Sequence, residues 1–148
     1  MGIMKPDPGT ASYSLLDHTG DTGLLLRAPS LPELFRQAAH GFYTVLLETP
    51  SAVTSTDEWE IKLEEDDVDT LLVSWLSELN YHFSVLGKVY REYELQISGK
   101  QLQARLHGTE FDPDRHQVLR EIKAITFHQL EVRQTVDQNW TAQVILDI

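Results

Sequence analysis

Two stretches repeat their apolar residues at helical spacing, and these decide how the rest of the chain must be arranged. In the first, Ser30-Leu31-Pro32-Glu33 puts a hydroxyl at an N-cap and a carboxylate three residues later. This is the capping-box order, which tolerates proline in the first turn. Leu31, Leu34, Phe35, Ala38, Ala39, Phe42, Val45 and Leu46 follow on one predicted helix face, and Pro50 ends any continuation. In the second, Glu64-Glu65-Asp66-Asp67 supplies a cap and favourable charge at a helix start. Val68, Leu71, Leu72, Trp75, Leu76, Leu79 and Phe83 form its apolar stripe, and Trp75 reads as core rather than as a ligand contact.

Between and after these helices the pattern has period two. Residues 13–16 form a short strand running into a turn at 17–23, and residues 24–28 leave it as a second strand. Trp59, Ile61 and Leu63 alternate with charged residues. Tyr93, Leu95 and Ile97, then Ser98-Gly99-Lys100, then Leu102, Ala104 and Leu106 read as a β-hairpin. Residues 108–120 are polar and irregular, 122–132 are extended, and Asp137-Gln138-Asn139 turns into a last strand at 140–147. Two helices among strands without strict βα alternation predict an α+β domain, a mixed β-sheet covered by the two helices, over residues 13–148. Residues 1–12 read as a flexible leader.

Charge narrows the function. Twelve Lys and Arg against 23 Asp and Glu give a net charge of −11. Autonomous nucleic-acid binding rests on cationic neutralisation of phosphates, so this balance argues against it and suits a basic protein partner or a bound cation. The chain has no cysteine, which excludes disulfides, zinc–thiolate sites and a thiol nucleophile and fits a cytoplasmic protein. No apolar run approaches a membrane span.

The densest polar chemistry is Asp17-His18-Thr19-Gly20-Asp21-Thr22-Gly23. An Asp-rich turn of this kind either caps a strand end or offers oxygens to a hard cation such as calcium. At the other end of the sequence, Asp147 and the carboxylate of Ile148 close an apolar run. Asp21, Asp147 and the Ile148 carboxylate make one plausible divalent-metal site, because a cation would remove the repulsion among three anionic groups. Asp17 and Asp21 are a weaker acid/base pair, with nothing to set their proton affinities apart. The six histidines show no metal spacing; His40 and His82 are expected at helix surfaces, while His116 and His128 bracket 120–123 and could face one site. With no GxSxG elbow, P-loop or dinucleotide fingerprint, the chain is not expected to be an enzyme.

Several ordered pieces together resemble the archease family. They are Asp17-His18-Thr19-Gly20-Asp21, Trp75-Leu76-Ser77-Glu78-Leu79, Gly108 with Phe111-Asp112 and His116, the run from Glu121 to His128, and the closing Leu146-Asp147-Ile148. The resemblance implies a small α/β protein that acts as a cofactor of a GTP-dependent RNA ligase in tRNA splicing or RNA repair. Such cofactors promote guanylylation of the ligase histidine and allow multiple turnover. It places the metal ligands on Asp21, Asp147 and Ile148, with calcium favoured and magnesium open, and the lysine required for ligase activation on Lys123. Asp17 and His18 are expected to stand behind the ligands. Gly20 departs from the alanine usual there, which loosens the turn. Two other classes stay open: a general chaperone or adaptor for RNA-processing proteins, and a metal-dependent hydrolase.

Overall fold

The computed structural model describes residues 10–148; most of the expected leader lies outside the described residues. The elements run β1 (Ser12–His18), β2 (Asp21–Ala28), α1 (Leu31–Leu46), β3 (Asp57–Glu64), α2 (Val68–Ser84), β4 (Lys88–Ser98), β5 (Gln101–Glu110), β6 (Ala124–Gln134) and β7 (Trp140–Asp147). Both helices begin where their caps predict. Ser30 Oγ accepts the Glu33 N–H at 3.4 Å, and Asp67 Oδ1 accepts the Thr70 N–H at 2.7 Å. Only half of the capping box forms, because the Glu33 carboxylate turns to the guanidinium of Arg36.

The α+β class and the two packed helices are as the sequence predicts, but the single mixed sheet is not. The strands divide into β1-β2-β7-β6 and β3-β5-β4, and every neighbouring pair is antiparallel. The reason lies in the hairpins. Helix α2 crosses from β3 to β4 within one sheet, a connection that would bring two parallel strands together. Strand β5 returns by a tight turn from β4 and inserts between them. In the other sheet β7 likewise lies between β2 and β6.

Both helices pack against both sheets. Leu24, Leu26, Val144 and Leu146 from the four-stranded sheet join Leu102, Ala104 and Leu106 from the three-stranded one around Phe35, Phe42, Leu72, Trp75 and Leu76. Trp75 is fully buried, and its Nε1 donates to the Phe35 carbonyl at 2.9 Å, tying α2 to α1. Among the described residues no helix is long and apolar enough to cross a membrane.

Two irregularities shape the surface. In β4, Arg91 is an extra residue between the pairs Tyr90–Gly108 and Glu92–His107. The bulge sits so tightly on β5 that a Cβ on Gly108 would come 1.9 Å from the Val89 carbonyl oxygen. In β6 the pairing with β7 jumps from Thr126–Ile145 to Glu131–Gln143, so the segment from Phe127 to Leu130 loops out, with Gln129 at φ 51°.

Candidate functional site

The expected seven-residue turn is a two-residue one. His18 pairs with Asp21 across Thr19-Gly20, and Gly20 takes φ +83°, a left-handed conformation that glycine adopts without steric cost. Asp17 and His18 therefore belong to β1, and Asp21 opens β2. Strand alternation sorts them. Thr22, Leu24 and Leu26 point to the core, so Asp21, Gly23 and Leu25 line the opposite, open face.

Asp21 lies directly opposite Asp147 in the β2–β7 register, and Asp147 lies opposite Ala124 of β6. Directly opposed residues share a face, with Cβ atoms about 4.5–5.5 Å apart. Two further bonds gather neighbouring segments here. The Ile148 N–H donates to the Gly20 carbonyl at 3.1 Å, and the Lys123 N–H donates to the Asp147 carbonyl at 2.8 Å. Residues from positions 20–21, 123 and 147–148 thus meet at one end of the four-stranded sheet. Oδ1 of Asp21 is buried and has no hydrogen-bond partner among the described residues. A buried carboxylate oxygen without a donor is costly, and beside a second carboxylate it is the atom a cation would satisfy. No cluster of three or more His, Asp or Glu side chains able to hold a metal exists among the described residues. A cation at Asp21 and Asp147 would therefore draw its remaining oxygen ligands from outside the His, Asp and Glu side chains.

His18 shares the open face with Asp21, and the β6 loop-out carries His128 and Gln129 to the same place. Together with Leu16, Leu25 and Ile145 they line a cavity of about 360 Å³. His128 is the residue here that the sequence placed near a different partner. His116 is buried against Phe111, and its Nδ1 accepts the Asp112 N–H at 2.9 Å, so the structure does not bring the two histidines to one site. Asp17 also departs from expectation. Its pairing with Thr22 puts it on the core side of the sheet, where Oδ1 accepts the Thr22 hydroxyl at 2.7 Å and faces Arg120 Nη1 at 3.4 Å. It braces the β1–β2 hairpin rather than standing behind Asp21. No local signal links Asp17 to Arg120, since their contact depends on how distant segments pack.

His82, expected at a helix surface, is buried; its Nδ1 meets the Tyr90 hydroxyl at 2.6 Å and its Nε2 lies 3.6 Å from Glu78. Burial holds its pKa below the ordinary histidine range, with Glu78 acting the other way.

Comparison with known proteins gives a consistent result. The sequence matches the Archease protein family over residues 13–148. It is 32% identical over 136 residues to the protein archease of Pyrococcus abyssi, covering 89% of this chain and 95% of that one. It is 36% identical over 141 residues to that of Methanosarcina barkeri, covering 92% and 95%. In structure it resembles a Methanobacterium thermoautotrophicum protein solved in solution, with a TM-score of 0.74, 28% identity and coverage of 92% and 98%. An archease of Thermotoga maritima, described as a possible chaperone, shares the fold at a TM-score of 0.61 and 16% identity over 100% and 99% of the two chains. The family match spans the hairpin, both helices and the β7 end where Asp21 and Asp147 meet, and the chain belongs to the archease family.

Proposed function

We propose that this protein is a non-enzymatic activator of a GTP-dependent RNA ligase, and that a divalent cation, calcium by preference, holds its working end together. The observation that carries the reading is the buried, unpartnered Asp21 oxygen set opposite Asp147. Asp21, Asp147 and the carboxylate of Ile148 would hold the ion, an all-oxygen set that suits a hard cation. When bound, the cation neutralises the clustered carboxylates and pins the β1–β2 turn to the β7 end. Lys123, exposed and tied by its main chain to Asp147, then presents a positive charge beside that end. There it would contact an acidic or phosphate group at the ligase, while His18 shapes the rim.

The net charge of −11 favours docking near a basic RNA-binding cleft over direct contact with RNA. Such a partnership belongs in the cytoplasm, where RNA is repaired or spliced. The deciding assay is multiple-turnover ligation by the cognate ligase with and without an equimolar amount of this protein. Faster turnover on addition supports the reading, and equal rates overturn it. Equal rates would favour a chaperone or adaptor role, for which the exposed Leu16 and Leu25 on the open face and the description of the Thermotoga neighbour speak.

A further inference from the structure

The opposite end of the molecule holds a second, unassigned cavity. Tyr13, at the far end of β1, pairs with Leu26, five residues along β2 from Asp21 and so about 17 Å from it. Around Tyr13 lies a cavity of about 390 Å³, whose walls include His40, Tyr43, Tyr90, Arg91 and Tyr93. That volume falls within the roughly 300–1,000 Å³ typical of small-molecule sites.

Three features make it a built site rather than a packing gap. First, Tyr43 is 1% exposed, and among the described residues its buried hydroxyl closes no well-formed hydrogen bond, although the Tyr90 main chain stands close enough to act on it. Its neighbours are satisfied. Tyr13 and Thr44 share a bond of 2.9 Å, and the Tyr93 hydroxyl donates to the Tyr90 carbonyl at 3.1 Å. Second, the rings are ordered against one another. Tyr43 stacks parallel to Tyr93 at 6.1 Å between centroids, and His40 meets Tyr93 edge-on at 5.3 Å. Third, Arg91 is the bulged residue of β4, brought there by the close approach at Gly108. Its guanidinium reaches the Val53 carbonyl at 3.4 Å, and no carboxylate lines the cavity among the described residues. In a chain of net charge −11, this puts an exposed guanidinium beside aromatic walls, with no acid in the described lining to pair it.

We propose that this cavity binds a small planar anion: an aromatic or heteroaromatic ring against the Tyr13, His40 and Tyr93 side, its anionic group on Arg91, and an acceptor atom within reach of the Tyr43 hydroxyl. Arginine suits this task because its planar, permanently charged fork meets carboxylate and phosphate oxygens in pairs. His40, held neutral near pH 7 by burial and next by Arg36, adds a donor and an acceptor without a second charge. The same chemistry has two sources, a nucleoside monophosphate or an aromatic carboxylate.

The test uses the full chain, titrated in turn with AMP, 4-hydroxybenzoate and inorganic phosphate while its backbone amide and Arg91 side-chain NMR signals are followed. We expect saturable shifts at Tyr13, His40, Thr44 and Arg91 with one of the ring-bearing anions, at a dissociation constant below about 1 mM. Whichever of the two binds tighter identifies the source. Phosphate alone should bind at least about tenfold more weakly, since it lacks the ring that stacks. Arg91→Gln should weaken the ring-bearing anion about tenfold, the scale of a lost charge-assisted bond, without moving the signals of Asp21. Tyr43→Phe should weaken it a few-fold while the melting temperature holds or rises, because the orphan hydroxyl is gone. The proposal is overturned if neither ring-bearing anion shifts these signals at about 10 mM. Phosphate matching both of them, or unchanged affinity in Arg91→Gln, would overturn it equally.

Discussion

Asp21 and Asp147 stand directly opposite each other across β2 and β7, so two carboxylates 126 positions apart in sequence share one face at one end of the sheet. Among the described residues nothing donates a hydrogen bond to Asp21 Oδ1. On the proposed reading a cation would satisfy this pair, and the first prediction tests it. Calcium or magnesium in hundredfold excess over its dissociation constant should stabilise the fold by about 2.7 kcal/mol, a rise of roughly 5–10 °C in melting temperature. Asp21→Asn should abolish the shift by removing one ligand. Adding a glycine after Ile148 should abolish it too, by turning a carboxylate into an amide carbonyl. An unchanged shift in the extended protein would remove Ile148 from the ligand set.

Lys123 separates function from folding. Its side chain is exposed, and its structural bond runs through the main chain to Asp147, which alanine retains. Lys123→Ala should change stability by no more than about 0.5 kcal/mol. In the multiple-turnover assay it should lose ligase stimulation. A variant that melts normally and still stimulates would return Lys123 to the role of a solvated surface residue.

Gly108 tests the β4 bulge. A methyl group there would meet the Val89 carbonyl oxygen at 1.9 Å and the Tyr90 Cα at 2.6 Å, and both are backbone atoms that no rotamer change can move aside. Gly108→Ala should cost about 3 kcal/mol or more and lower the melting temperature by roughly 6–12 °C. A drop of under about 2 °C would mean that the bulge relaxes at little cost.

His82 gives the fold an acid limb. Burial lowers its pKa in the folded state, so as pH falls the unfolded chain takes up the proton first, at about 6.5. Stability is then unaffected by this group above that pH and declines as pH drops below it, until the folded state also protonates. His40, lowered by burial and then by Arg36, contributes with the same sign. His82→Gln should cost about 1 kcal/mol near pH 7 through the altered bond to the Tyr90 hydroxyl. It should also flatten the loss of stability between pH 7 and 5, read from urea unfolding midpoints at each pH. An equally steep loss in the variant would show that folding does not lower the proton affinity of His82.

The sequence by itself determined what depends on neighbours within a turn or two. Both helices lie where Ser30 and Asp67 cap them, their stripes became core, and Trp75 packs as expected. The hairpin from Tyr93 to Leu106 formed around Gly99. The ordered pieces from Asp17 to Ile148 were also sufficient to place the chain in its family. Tertiary structure decided the rest, because in a strand a single residue of register exchanges the two faces. Sequence spacing alone could not say that Asp21 shares a face with Asp147 and His18 while Asp17 turns to Thr22 and Arg120. Nor could it show that β5 and β7 would insert between other strands and divide one sheet into two. The bulges at Arg91 and at 127–130, which aim residues into the two cavities, arise from pairing between distant strands and leave no period in the sequence to be read.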